Sequence, residues 1–196
     1  YVRAIRWASD RLGNAGIVGF VTNAGWVEGK AMNGLRKCLQ DEYSKIYVFH
    51  LRGNQRTKGE ESRREGGEIF GSGSRAPIAI TILVKNPNSN ENGDILFHDI
   101  GDYLTREEKL EKTRVFGGVF GIENAKQWKK IIPNADFDWI NQRDYSFGRY
   151  LPLAAKDASD AIFSVKSLGV STNRDAWCFN SSRAGLLMNM KRMIKF

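Results

Sequence analysis

Gly16-Ile17-Val18-Gly19-Phe20-Val21-Thr22-Asn23-Ala24-Gly25-Trp26-Val27-Glu28-Gly29 is the stretch whose reading decides the fold. Its first residues form a short continuous apolar run that closes on Thr22-Asn23, the pattern of a parallel interior strand buried on both faces. Residues 30 to 43 then place Met32, Leu35, Leu39 and Tyr43 at helical spacing, with Arg36, Lys37, Asp41 and Glu42 on the other side. Ile46 to Leu51 is a second apolar strand. Strand, helix and strand make a crossover unit of the kind that builds a parallel sheet, so the class is α/β rather than bundle or sandwich.

Upstream, Val2, Ile5, Ala8 and Leu12 predict a helix over residues 1 to 12, with Gly13-Asn14 as its C-cap. Because Tyr1 lies inside that pattern, the chain is expected to continue a longer protein. Downstream, apolar residues nearly vanish from Gly53 to Ala76, which predicts a long loop, either functional or disordered. Pro77 to Val84 reads as a third strand, Pro87 to Gly93 as a turn and Asp94 to Ile100 as a fourth strand. Thr105 with Glu108 is a capping box for a helix to about Arg114. Beyond it, Asn124 to Ile132 reads as helix, Trp139 to Tyr150 as irregular, Ala161 to Val165 as strand and Ala184 to Phe196 as a basic amphipathic helix. The change of character near residue 116 divides the chain into 1–115 and 116–196.

The 196 residues carry a net charge of +8, which favours a polyanionic partner such as nucleic acid. Cys38 and Cys178 sit outside any C-x-x-C pattern, so neither a disulfide framework nor a zinc site is expected, and a reducing cytoplasm fits. No apolar run reaches the length of a membrane helix, and no membrane partner is expected. His50 and His98 each lie in an apolar strand without a companion at ligand spacing, which makes both structural. Ser72 and Ser74 have no histidine base to activate them, and the glutamates of the 60s alternate with arginines as on a solvated loop.

Three stretches are candidates to carry chemistry. Thr22 and Asn23 fall at the carboxyl end of a strand, where open α/β sheets bind ligands, although any buried strand followed by a turn would read the same way. Gly67-Glu68-Ile69-Phe70 leads through Gly71-Ser72-Gly73-Ser74-Arg75 into a strand. A dinucleotide fingerprint would lead into a helix, and the lysine-hydroxyl pair of a phosphate loop is missing. Leu168-Gly169-Val170-Ser171-Thr172-Asn173-Arg174-Asp175-Ala176-Trp177 is a turn in composition.

The Phe70 stretch resembles the methyltransferases that modify the amino group of adenine in DNA, in which an aromatic residue before the penultimate strand stacks on the flipped base. The 168–177 stretch resembles the signature where such enzymes pass into their target-recognition region. Together with Arg36-Lys37, Leu51-Arg52-Gly53-Asn54 and Trp139-Ile140-Asn141-Gln142-Arg143-Asp144, the pattern is similar to the type ISP restriction-modification proteins, which join nuclease, helicase-like, methyltransferase and recognition parts.

The resemblance implies a partial Rossmann-like methyltransferase sheet in residues 1–115, its second half, followed by a mixed α+β connector and the start of a target-recognition region in 116–196. It implies that Phe70, Thr22, Asn23 and Asn54 form the base pocket, and that Arg52, Arg56, Arg63, Arg64, Arg75 and Arg174 contact double-stranded DNA. S-adenosylmethionine would be the cofactor of the intact protein. None is expected on this chain, which lacks the family's Gly-rich loop and its (Asn or Asp)-Pro-Pro-aromatic tetrapeptide, so the chain alone is expected to be inactive. Partners would be DNA, the remaining domains and, through an exposed sheet edge, a second copy. A non-catalytic nucleic-acid-binding or docking module, and a purely structural unit, remain the competing readings.

Overall fold

The computed structural model describes residues 1–71, 75–154, 161–163, 165–167, 169 and 171–195. They form two compact units, Tyr1–Arg143 and Asp144–Phe196. Ser72 to Ser74, and Leu168 and Val170 of the later motif, lie outside the described residues.

The first unit is built on a five-stranded mixed sheet in the order β1-β3-β2-β4-β5. β1 (Gly16–Asn23), β2 (Lys45–Arg52), β3 (Ile78–Lys85) and β4 (Asp94–Asp99) match four of the expected strands within one or two residues. Their arrangement differs from expectation in one respect. β1 is an edge strand, paired antiparallel to β3 alone, and β3 lies between β1 and β2, antiparallel to both. β1 and β2 therefore point the same way, as their crossover requires, without touching. The parallel neighbour of β2 is β4. An apolar run does not distinguish interior from edge strands, and here Ile17 and Val21 stay 68% and 54% exposed.

One face of the sheet is covered by α1 (Val2–Ser9), α2 (Gly25–Glu28) and α3 (Asn33–Glu42). Ile5, Val18, Trp26, Leu39, Val48 and Leu83 are buried together there. α1 is shorter than expected, because Asp10 rather than Gly13 follows its last turn. The expected single helix over 30–43 is a short 3-10 turn, Lys30–Met32, leading into α3. On the other face Phe49, Leu51, Ile69, Ile78, Ile100 and Ile122 form a second, smaller core under α5 (Arg106–Phe116) and α6 (Val119–Asn124). Thr105 and Glu108 make the expected reciprocal capping box at the start of α5.

Two other expectations are corrected. Residues 53–76 are not loop throughout, since α4 (Gly59–Glu65) forms there, with Glu60 and Glu61 in its first turn and Arg63 and Arg64 in its last, as the helix dipole favours. Residues 124–132 are not a helix: α6 ends at Asn124, and β5 (Lys129–Ile131) adds antiparallel to β4.

In the second unit a 3-10 turn, Tyr145–Arg149, precedes α7 (Asp175–Cys178) and α8 (Arg183–Lys195). Within 161–165 the described residues form no strand. Among the described residues no helix is long and apolar enough to cross a membrane.

Candidate nucleic-acid interface

Three chain segments converge at the edge where β1 and β2 end. Asn23 of β1 and Arg52 of β2 both stand opposite Ile78, the first residue of β3. The amide of Ala24 donates to the Pro77 carbonyl at 2.8 Å, that of Gln55 to Arg75 at 2.9 Å, and that of Gly53 to Glu65 at 3.2 Å. The exits of β1 and β2 and the entry to β3 are thus stitched into one rim, on which Thr22, Asn23 and Asn54 of the expected base-pocket residues lie. Side-chain geometry separates them. Thr22 Oγ1 accepts from the Trp26 indole at 3.2 Å, and Asn23 Oδ1 accepts from the Gly25 amide at 2.7 Å, so both shape the turn into α2. Asn54 closes a local turn by accepting from the Arg56 amide at 3.1 Å. Phe70 is different: Ile69 is buried in the second core, while the Phe70 ring beside it is 49% exposed.

Beneath the rim lies a charged cluster of which the sequence reading identified only parts. Arg52, in a left-handed conformation at φ 55° after a bulge in β2, donates to Asp99 at 2.7 Å and pairs with Asp102. Burial works against its charge, but the two carboxylates outweigh it and hold the guanidinium pKa above its ordinary value. Arg64 approaches the same Asp102 at 3.6 Å. Arg52 is therefore a clamp between β2 and the end of β4, whereas Arg56, Arg63, Arg64 and Arg75 are exposed around the rim. Arg174 is exposed in the second unit.

His50 is held at both nitrogens. Its Nδ1 accepts from the Arg52 amide at 3.3 Å, which leaves Nε2–H to donate to Glu28 at 2.5 Å. His98 donates from Nδ1 to the Gln127 carbonyl at 3.2 Å, and burial lowers its pKa. Both histidines are tied into structure. Among the described residues no group of three His, Cys, Asp or Glu is placed to hold a metal ion.

Lys109 of α5 is fully buried below the rim and donates to the carbonyls of Glu65 and Gly67, each at 2.7 Å. Burial lowers its ammonium pKa to about 8. Nothing in its sequence neighbourhood marked it, because a lysine in a charged helix reads as a solvated face.

A second set of motif residues is also brought together. Arg36 of α3 is buried against Asp138 at 2.9 Å and donates to the carbonyls of Trp26, Gly29 and Phe137. Arg143 donates to the same Asp138 at 2.7 Å, and Trp139 packs edge-on against Trp26 with ring centroids 5.5 Å apart.

Comparison with known proteins supplies the context. Residues 161–196 match the Type ISP C-terminal specificity domain. The whole chain is similar to part of a nuclease-deletion mutant of the Type ISP restriction-modification enzyme LlaGI, solved in complex with a DNA substrate mimic. Identity is 49% over 98% of this chain and 15% of that one, with a TM-score of 0.80. It is likewise similar to the ATP-dependent Type ISP restriction-modification enzyme LlaBIII bound to DNA, at 38% identity over 100% of this chain and 13% of that one, TM-score 0.84. A DrdV–DNA complex matches at 31% identity over 98% of this chain and 19% of that one, TM-score 0.77. The chain thus spans less than a fifth of each of these proteins. No curated protein matches it.

Proposed function

We propose, for a chain that belongs to the Type ISP restriction-modification family, that residues 1–143 supply the target-base side of a DNA adenine-N6 methyltransferase. The C-terminal unit carries residues 161–196, which match the Type ISP C-terminal specificity domain, and on this reading it belongs to the specificity region of the same long protein. The observation that carries the proposal is the exposed Phe70 ring next to Ile69, which is buried in one core with Leu51 near the end of β2 and Ile78 at the start of β3. An extruded adenine loses its stacking neighbours, and an aromatic face replaces them. Thr22, Asn23 and Asn54 shape the rim around it through their turns. The exposed arginines 56, 63, 64 and 75 contact phosphates, which position DNA without reading it, and Arg174 does so in the second unit. Arg52, held by two carboxylates, supports the rim from below. The relatives solved with DNA support DNA as the partner.

S-adenosylmethionine is the methyl donor of the whole protein in this proposal; the chain lacks the family's Gly-rich loop and (Asn or Asp)-Pro-Pro-aromatic tetrapeptide, and its apolar cavity does not fit the donor. The cavity of about 190 Å³ on the second face is lined by Tyr47, Phe49, Ile80, Phe116 and Trp128. Such a lining suits no charged amino acid or ribose. The donor site belongs to other parts of the protein, and what this chain contributes is the stacking face and the rim.

Hydrogen exchange of the full-length protein with and without double-stranded DNA tests the placement. Protection of residues 53–71 on binding is expected. Unchanged exchange there, with protection confined to the second unit, would leave a recognition module without a base pocket.

A further inference from the structure

We propose that Lys109 and Arg106, both on α5, are positioning residues that hold the Phe70 ring in place for the incoming base. The inference rests on the base-stacking reading of Phe70. The segment before that ring is fixed at several successive points. Lys109 Nζ donates to the carbonyls of Glu65 and Gly67, each at 2.7 Å. The Gly67 amide donates to Leu104 at 3.0 Å, and Arg106 Nε donates to the Ile69 carbonyl at 2.9 Å. Ile69 is buried, and the next residue is Phe70.

The backbone is also pressed against the start of α5. A Cβ on Gly66, which has φ +67°, would lie 2.1 Å from the Leu104 carbonyl oxygen, and one on Gly67 would lie 2.5 Å from the Arg106 nitrogen. Only glycine allows this approach. The capping box of Thr105 and Glu108 fixes the helix end that serves as the anvil.

Lys109 is the unexpected member. A buried ammonium is unfavourable, and an apolar side chain would fill the same space at lower cost. Its hydrogen bonds go to the main chain of the segment that carries Phe70. A ring fixed before the base arrives loses little further freedom on stacking, which is what a preorganised pocket requires.

The test uses the full-length protein with four variants: Arg106→Ala, Lys109→Met, the double variant and Phe70→Ala. Arg106 is exposed, so its truncation leaves the core intact even if Lys109→Met fails to fold. Two readouts are taken: amide exchange of residues 65–70, and methyl transfer to unmethylated double-stranded DNA. Arg106→Ala and Lys109→Met are expected to speed exchange in that segment about tenfold while β2 and β3 are unchanged. They should also lower kcat by roughly tenfold with the KM for DNA unaltered. Phe70→Ala should lower kcat without loosening the segment. If Phe70→Ala lowers kcat and the α5 variants change neither exchange nor kcat, or change exchange alone, the positioning role is refuted and the base-stacking reading stands. If Phe70→Ala leaves kcat unchanged, the reading itself falls and the positioning role with it.

Discussion

Arg36 and Asp138 lie 102 positions apart in the chain, yet their side chains meet at 2.9 Å with both closed to solvent. The pair fastens the segment after β5 onto α2 and α3, and Arg143 completes it by donating to the same carboxylate. Removing one partner of a buried ion pair leaves the other uncompensated. Asp138→Ala is therefore expected to destabilise the first unit by about 3–5 kcal/mol. Urea unfolding measures this, and a loss below about 1 kcal/mol would place the pair among surface-type contacts.

Much of the fold was legible because β1, β2, β3 and β4 are short apolar runs bounded by turn residues, and because α5 announces itself through Thr105 and Glu108. What was not legible depended on partners distant in sequence. β1 reads as an interior strand, but the return of β3 between it and β2 leaves Ile17 and Val21 exposed. Lys129 to Ile131 continues a helical pattern in sequence and becomes a strand because β4 offers it an edge. At the site, Phe70 is singled out only through the resemblance to the adenine-N6 methyltransferases, since an aromatic residue before a strand otherwise reads as loop packing. Lys109 and Asp102 could not be singled out, since their roles exist only once α5 and the end of β4 meet the rim. Arg52 was recognised as basic but not as a clamp, for the same reason: Asp99 and Asp102 are 47 and 50 residues away.

Two buried charges give stability a defined pH dependence. The Arg143 hydrogen bond holds the Asp138 carboxyl far below its ordinary 3.8, so its contribution is complete above that pH and is lost as pH falls through the folded-state value. Lys109 acts at the other end. Burial lowers its pKa from 10.5 to about 8, opposed by Glu65 of α4 and Asp99 of β4 and reinforced by Arg52 of β2. Between those values the unfolded chain holds a proton that the folded chain has released, so this group makes stability rise with pH from about 8 to 10.5. The stability of the natural chain relative to Lys109→Met should rise across that window; a flat difference in urea titrations would contradict the assignment.

Arginines of the rim should divide into two kinds. Arg56→Ala should leave thermal stability unchanged and reduce the salt slope of DNA binding by about one. Arg52→Ala should do the opposite, lowering Tm because Asp99 and Asp102 are left facing each other, with little change in the slope. Binding isotherms at several salt concentrations, with melting curves for the same proteins, distinguish them. Equal slopes for both variants would remove the distinction between clamp and phosphate contact.

The central claim is that the Phe70 ring takes the place of the stacking neighbours that a flipped adenine leaves behind. Its most direct test is single-turnover methyl transfer from S-adenosylmethionine to unmethylated double-stranded DNA by the full-length protein carrying Phe70→Trp, Phe70→Leu or Phe70→Ala. Stacking is worth about 1–3 kcal/mol, so loss of the ring should slow transfer roughly 5- to 150-fold. Phe70→Trp should retain the rate, while Phe70→Leu, which restores bulk without an aromatic face, should be nearly as slow as Phe70→Ala. Equal rates for all three variants and the natural protein would contradict the account.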